Sequence, residues 1–483
     1  MESKMDIDEQ YKKINALVLD ETEMRQLGYE AVDLIVKRWS NLHKDVAWRG
    51  ADRKEMERLF REAAPEEGTP SAEILDCAVN QIMQYAGRID HPRFFAFVPS
   101  SPTWPTLIAD MLVSGFNVFQ GTWLESAGPS QIELVVLDWF REWIGFPSTA
   151  GGVFTSGGSA ANLCALVTAR ASYDYSGDPV LYYSDQGHAS IGRAARIAGF
   201  KSYAVRSIPT DNEYKMDLDV LQEMIHQDRD TGYQPLLVSA NGGATNTGTV
   251  DPLQELSGIC KKEDLWFHID AAYGGFAVLC EKGRAALDGI DLADSVTLDP
   301  HKWLFQSYET GCLLVRDVSK LESAFSTNPE YLQDVQMGDD HVNFSDRGLQ
   351  LSRSFRALKV WMSIKTLGLR VFREAIQRSM DLALAAEDYI ADSVELELLS
   401  SQNLGIVCYR YNPAGHELDS VHIENLNIEI QKQILSSGYA MVSSTRLRGS
   451  YSLRLCVMNY RSTLNDVLGT LRSVEEIGRS ILS

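Results

Sequence analysis

The chain has 483 residues and a formal charge of −21, from 45 Lys and Arg against 66 Asp and Glu. It is long enough for two or three packed units and lacks the basic footprint that nucleic acid or an anionic membrane requires. Hydrophobic residues at 45%, charged residues at 23%, and 35 Gly with 15 Pro exclude collagen-like, coiled-coil and disordered classes.

The N-terminal MESKMDIDEQYKK has neither the apolar core of a signal peptide nor the acid-poor character of a transit peptide, and no apolar run approaches a membrane span. A soluble, cytoplasmic protein is expected. From Glu21 to about Leu59, Met24, Leu27, Ala31, Leu34 and Ile35 recur at helical spacing, until AAPEEGTPS at 63–71 interrupts. One or two such helices cannot bury their apolar face alone, so the N-terminal helical segment, residues 1–85, is expected to pack on another unit or another subunit. Between about 100 and 315, helical ADMLVSGFNVF and IELVVLDWFREWI precede the strand candidates VLYYSD, SYAVRSI, PLLVSA, LWFHID, SVTLD and GCLLVRD. Short buried strands alternating with helices predict an α/β domain with a largely parallel sheet, placed at 86–370. FRALKVWMSIKTLG is expected to begin a long helix that continues past Arg370. ELELLS, IVCYRYN, YAMVSST and YSLRLCVMN then alternate with two helical patterns, predicting a small α+β domain at 371–483.

The seven cysteines are widely spaced without a C-x-x-C pair, which reads as buried thiols rather than a disulfide framework or a zinc site, and no metal centre is expected. Chemistry-bearing residues instead gather at the ends of predicted strands. Asp299-Pro300-His301-Lys302-Trp303 follows SVTLD, so Lys302 stands where a parallel sheet delivers side chains to a crevice and is suited to Schiff-base chemistry. Asp270, in His268-Ile269-Asp270-Ala271-Ala272-Tyr273-Gly274-Gly275, closes another strand. A buried Asp beside a Lys reads as a pyridoxal 5'-phosphate (PLP) site, the carboxylate keeping the pyridine nitrogen protonated. Thr155-Ser156-Gly157-Gly158-Ser159-Ala160-Ala161-Asn162 opens a helix whose free N–H groups cradle a phosphate, with the Ser159 hydroxyl as a further donor. His188, in Ser184-Asp185-Gln186-Gly187-His188-Ala189-Ser190, reads either as a satisfied, partly buried side chain or as a ring that stacks on a planar cofactor; no second metal ligand lies at close spacing. The small residues of Asn241-Gly242-Gly243-Ala244-Thr245-Asn246-Thr247-Gly248 let backbone approach it.

In this order, together with HPRFFAFVPS at 91–100, LSRSFRALKVW and YSLRLCV, these pieces resemble the group II PLP-dependent amino-acid decarboxylases, most closely the aromatic L-amino-acid decarboxylase branch. The resemblance covers nearly the whole chain. It implies PLP-dependent transferase fold type I, a homodimer, and an enzyme that converts an L-amino acid, expected to be aromatic, to its amine and CO2. It assigns catalysis to Lys302, Asp270, His188 and Tyr331. Lys302 holds the cofactor, and Tyr331, on a mobile loop that begins Asn328-Pro329-Glu330, protonates Cα. Gly158, Ser159, Thr245, Ala272, Asp299 and His301 complete the cofactor site.

On the substrate side the resemblance points to Phe97, Val98, Pro99 and Ser100 as an aromatic wall, and to Phe119, Gly121 and Ser352. Ser352 stands where Ser favours phenolic substrates in plant relatives. Gly121 replaces a common Phe, which is expected to make room for a larger indole, and Asp299 replaces a common Asn. Alternatives are an aromatic aldehyde synthase, which the presence of both His188 and Tyr331 disfavours, and a decarboxylase of an acidic or other amino acid. A scaffold without turnover is a poor fit to a chain that keeps every catalytic residue type.

Overall fold

The computed structural model describes residues 17–99, 101–174, 177–327, 338 and 341–483. It divides into two compact units between Arg88 and Ile89.

In the first unit the predicted helical stretch is two helices, Glu21–Ser40 and Arg53–Phe60, with Asp20 and Asp52 as N-caps accepting from Glu23 N and Glu55 N. No residue of either helix is buried, and Met24, Tyr29, Ile35 and Val36 of the longer one stand exposed.

The second unit holds two sheets. The first comprises β1 (Gly151–Thr155), β2 (Pro179–Ser184), β3 (Val205–Ile208), β4 (Gln234–Asn241), β5 (Trp266–Asp270), β6 (Ser295–Leu298) and β7 (Gly311–Val315), in the order β1-β7-β6-β5-β4-β2-β3. Its middle strands are buried almost throughout, which is why they read as continuous apolar runs rather than alternating ones. Strands β3, β2, β4, β5 and β6 are mutually parallel, while β7 runs antiparallel to both β6 and β1. The connection between β6 and β7 spans only residues 299–310 and holds no crossover helix, so the chain returns antiparallel.

The second sheet, β8 (Leu396–Asn403), β9 (Ile406–Tyr411), β10 (Ser443–Leu447) and β11 (Ser450–Cys456), is antiparallel in the order β10-β11-β9-β8. It packs on the helices Leu369–Asp392, Ser420–Ser437 and Leu464–Leu482, the last opened by a reciprocal Thr463–Asp466 capping box.

Three local expectations are corrected. The single helix predicted across Arg370 is two, Ala357–Leu367 and Leu369–Asp392, because Gly368 at φ +79° turns the chain between them. In SYAVRSI, Ser202–Ala204 is a 3₁₀ turn and only Val205–Ile208 is strand. In YAMVSST the strand begins at Ser443. The cysteines are unpaired, five of them buried and Cys77 and Cys280 half-buried. Among the described residues no helix is long and apolar enough to cross a membrane.

Candidate active site

Each parallel strand that carried a motif ends on the same edge of the first sheet, where ligands bind in open α/β sheets. The Ser156-Gly157-Gly158 turn follows β1, His188 follows β2, Thr245 follows β4, Asp270 ends β5 and Asp299 follows β6. All of them line one cavity of about 360 Å³, together with Ser159, Ala272, His301 and Lys302. Register explains part of this: Asn241 lies beside Asp270 and Asp270 beside Thr297 on adjacent strands.

Asp270 is 7% exposed and is held from two sides. Its Oδ1 accepts from Ala272 N at 3.2 Å and its Oδ2 from Asn162 Nδ2 at 2.8 Å. Behind Asn162 runs a directed chain of donors. Asn162 Oδ1 can only accept, so His268 Nε2 donates to it (3.1 Å); Nδ1 of the neutral ring then accepts from the Ser295 hydroxyl (2.9 Å), which itself accepts from Trp266 Nε1 (2.8 Å). Thr297 Oγ1 also donates to Asn162 Oδ1, at 2.6 Å. Burial pushes His268 down to about 4, so the ring is neutral and can occupy this one tautomer. With its oxygen doubly supplied, Asn162 must turn its N–H bonds outward, to Asp270 and to Ser190 Oγ (2.9 Å).

Ser190 passes the orientation on to His188. Its hydroxyl lies 2.7 Å, and its backbone N–H 3.2 Å, from His188 Nδ1. Because the Ser190 N–H donates to Nδ1, that nitrogen accepts and the ring proton sits on Nε2, so the Ser190 hydroxyl also donates to Nδ1.

The helix Gly158–Ala171 begins at the cavity, where the first N–H groups of any helix lack intrahelical acceptors. A side chain at Gly158 would bring a Cβ to 3.0 Å from both Ala272 Cβ and Asp299 Oδ2, so only glycine leaves this cradle open. Lys302 keeps 21% of its side-chain surface, and its Nζ lies 3.0 Å from Asp299 Oδ2. Burial pulls the amine down, but Asp299 and Asp270 outweigh it and hold it above the usual lysine range. His301 Nε2 stands 3.6 Å from the same Asp299 oxygen, its Nδ1 accepting from Thr310 N at 3.1 Å.

The residues present fit PLP. An anion cradle, a carboxylate on a wall of the cavity and an accessible amine converge there, and a buried polar atom of a cavity-lining residue, Asp299 Oδ1, has no hydrogen-bond partner among the described residues.

The substrate-side residues are placed elsewhere. Phe97 is exposed with φ +54° and Pro99 is buried, but neither lines the cavity. Phe119, Gly121 and Ser352 also stand outside its lining; the segment around Gln120 pairs with Arg353, Gln120 N donating to Arg353 O at 2.9 Å. The room expected from Gly121 is already filled: a Cβ there would meet Phe119 Cζ at 2.3 Å and Leu351 O at 2.7 Å. The Phe119 ring takes up the space. Ser100 and Tyr331 lie outside the described residues. Conversely, Asn162, Ser190, Asn241, Tyr308 and Glu309 line the cavity without having been singled out from the sequence. Asn162 stood in a quoted motif, and its reach to two distant strands was the signal that sequence does not display.

A doubly wound sheet with Lys, Asp, His and a glycine turn at its carboxyl edge defines a PLP-enzyme class. The family described as the pyridoxal-dependent decarboxylase conserved domain matches residues 54–412, and the chain belongs to it. It is a PLP-dependent decarboxylase. Over 469 residues it is 40% identical to an aromatic-L-amino-acid decarboxylase of Bacillus atrophaeus, covering 96% of this chain and 97% of that one. It is 31% identical to a phenylacetaldehyde synthase of Petunia hybrida, covering 94% and 93%. The Oryza sativa TDC crystallised with PLP and tryptamine superposes with a TM-score of 0.91 at 27% identity, covering 96% of this chain and 99% of that one.

Proposed function

We propose that this enzyme decarboxylates an aromatic L-amino acid to its amine, with Lys302, Asp270, His188 and Tyr331 as catalytic residues. The observation that carries the reading is the convergence of Lys302, Asp270, His188 and the glycine turn on one cavity. The aromatic class is supported by the 40% identity to the Bacillus enzyme and by the aromatic residues Phe97 and Phe119.

When bound, PLP supplies the electron sink for the bond that breaks at Cα. The chain supplies the rest. The N–H groups at Gly158 and Ser159 would hold the phosphate, with Thr245, Ala272, Asp299 and His301 around the cofactor. Asp270, fixed by Asn162, would keep the pyridine nitrogen cationic. Lys302 would hold the cofactor through Nζ. His188 presents Nε2–H to the cavity beside the substrate carboxylate. Tyr331 delivers a proton to Cα once CO2 has left.

The substrate wall belongs to a site closed between two copies. Phe116, Leu124, Leu349 and Leu351, close in sequence to Phe119, Gly121 and Ser352, are exposed apolar side chains. A homodimer would cover them and bring the wall residues of one protomer to the cavity of the other. Residues 1–85 form a helical dimerisation segment, 86–370 the large cofactor-binding domain and 371–483 the small one. The protein acts in the cytoplasm.

A second reading, an aromatic aldehyde synthase, is favoured by the Petunia relative. It would release aldehyde, ammonia and hydrogen peroxide at the expense of O2. Incubating the protein with PLP, reducing with borohydride and mapping peptides tests the site: the label should fall on Lys302. A label on another lysine, or none, refutes it.

A further inference from the structure

Asp299 is 2% exposed, yet it is only half used by the protein. Its Oδ2 contacts Lys302 Nζ at 3.0 Å and His301 Nε2 at 3.6 Å, and its Oδ1 is buried with no hydrogen-bond partner among the described residues. A buried carboxylate in this position favours the charged form of its lysine, because loss of the ammonium proton would leave the carboxylate uncompensated. Attachment of an aldehyde requires the opposite state, since only the unprotonated amine has a lone pair to give.

We propose that Asp299 is a positioning residue that stores Lys302 as its ammonium and so slows the attachment of PLP to the unloaded chain. The inference rests on Lys302 being the attachment point. In the step it controls, the ammonium gives its proton to solvent, and the Nζ lone pair forms a bond to the aldehyde carbon. The carbonyl oxygen leaves as water, C=N replaces C=O, and nothing is oxidised or reduced. The groups that face Nζ are Asp299 from its own segment, Asp270 from the end of β5, Tyr308 from the loop that follows and Cys456 from the end of β11, while His301 faces Asp299 itself. With an amide at 299, Asp270 is left to oppose burial, with Glu309 elsewhere on the same cavity wall, and the lysine holds its proton less firmly.

The test follows the absorbance of the protein–PLP adduct after mixing PLP-free protein with PLP. Asp299→Asn should load about tenfold faster at neutral pH, the effect of one pKa unit on the free-amine fraction. The advantage should shrink as rising pH deprotonates Lys302 in both proteins. A folded Asp299→Asn that loads at the unaltered rate, or more slowly, at every pH overturns the proposal. Should the variant not fold, the unaltered chain decides. Its loading rate, divided by that of butylamine with PLP at the same pH, should stay level or rise from neutral pH to the lysine range. A ratio that falls would show an amine already free at neutral pH and overturn the brake. Absence of any adduct at every pH overturns the Lys302 reading as well, whereas equal rates overturn the brake alone.

Discussion

At the scale of single residues, Asn162 determines how the site is oriented. Its amide hydrogens hold Asp270 and Ser190 while its oxygen is saturated by Thr297 and His268. Asn162→Ala would strip a buried carboxylate of a charge-assisted bond, a loss of about 1.5–3 kcal/mol. Turnover should fall about ten- to a hundredfold and PLP should dialyse away faster; steady-state kinetics and retained-cofactor absorbance check this, and Asn162→Gln should restore little because its amide sits one methylene too far. Lys302→Ala should abolish turnover and the adduct absorbance together, and Asp270→Ala should slow turnover by orders of magnitude, since a neutral pyridine is a poor electron sink. Tyr331→Phe should still release CO2 but, without the phenolic proton, yield aldehyde and hydrogen peroxide in air in place of amine; amine at the unaltered rate without oxygen uptake would make Tyr331 a bystander. Lys302, Asp270 and His188 were legible in the sequence because each is a reactive side chain just after an apolar run. Asn162 was not, because its partners stand 108 and 135 residues away.

At the scale of elements, β5 and the loop after β4 carry two buried groups whose protons act in opposite directions. His268 on β5 falls from 6.5 to about 4 through burial, so between those values the unfolded chain binds a proton that the folded one refuses. Stability therefore drops as pH falls through that window, by about 1.4 kcal/mol per unit at most. Asp251 rises from 3.8 to about 6 through burial, despite accepting from Asn241 N at 2.7 Å and Met216 N at 2.8 Å. Its folded form holds the extra proton, so its contribution is present below 3.8 and is lost as pH rises through 6. The two offset each other between about 4 and 6. Asp251→Asn removes one side, and its thermal midpoint should fall more steeply than that of the unaltered chain from pH 6.5 to 4.5; parallel curves would contradict this. Strand existence was legible from apolar runs, whereas the direction of β7 was not, because a short connection rather than composition decides it. The break at Gly368 was hidden inside a continuous helical pattern, for one glycine carries no periodicity.

At the scale of the whole molecule, the described cofactor-side residues line one cavity of a single chain, whereas Phe119, Gly121 and Ser352 do not line it. The proposed dimer accounts for that separation, with the wall residues of one copy serving the cavity of the other. Sedimentation should find a dimer, and deletion of residues 1–60 should give an insoluble protein or a monomer; a fully active monomeric wild type would refute the shared site. The same separation explains why the aromatic preference was less legible than the chemistry: motifs at strand ends report a shared edge, while a pocket wall depends on which ring fills which space, as Phe119 does over Gly121. The central claim is tested most directly by counting products. With PLP-loaded protein and L-tryptophan, L-tyrosine, L-phenylalanine and L-glutamate in separate reactions, CO2, amine and hydrogen peroxide are quantified together. One amine per CO2 from an aromatic substrate, without peroxide, is the predicted result. Turnover of glutamate alone, or one peroxide and one aldehyde per CO2, would contradict it.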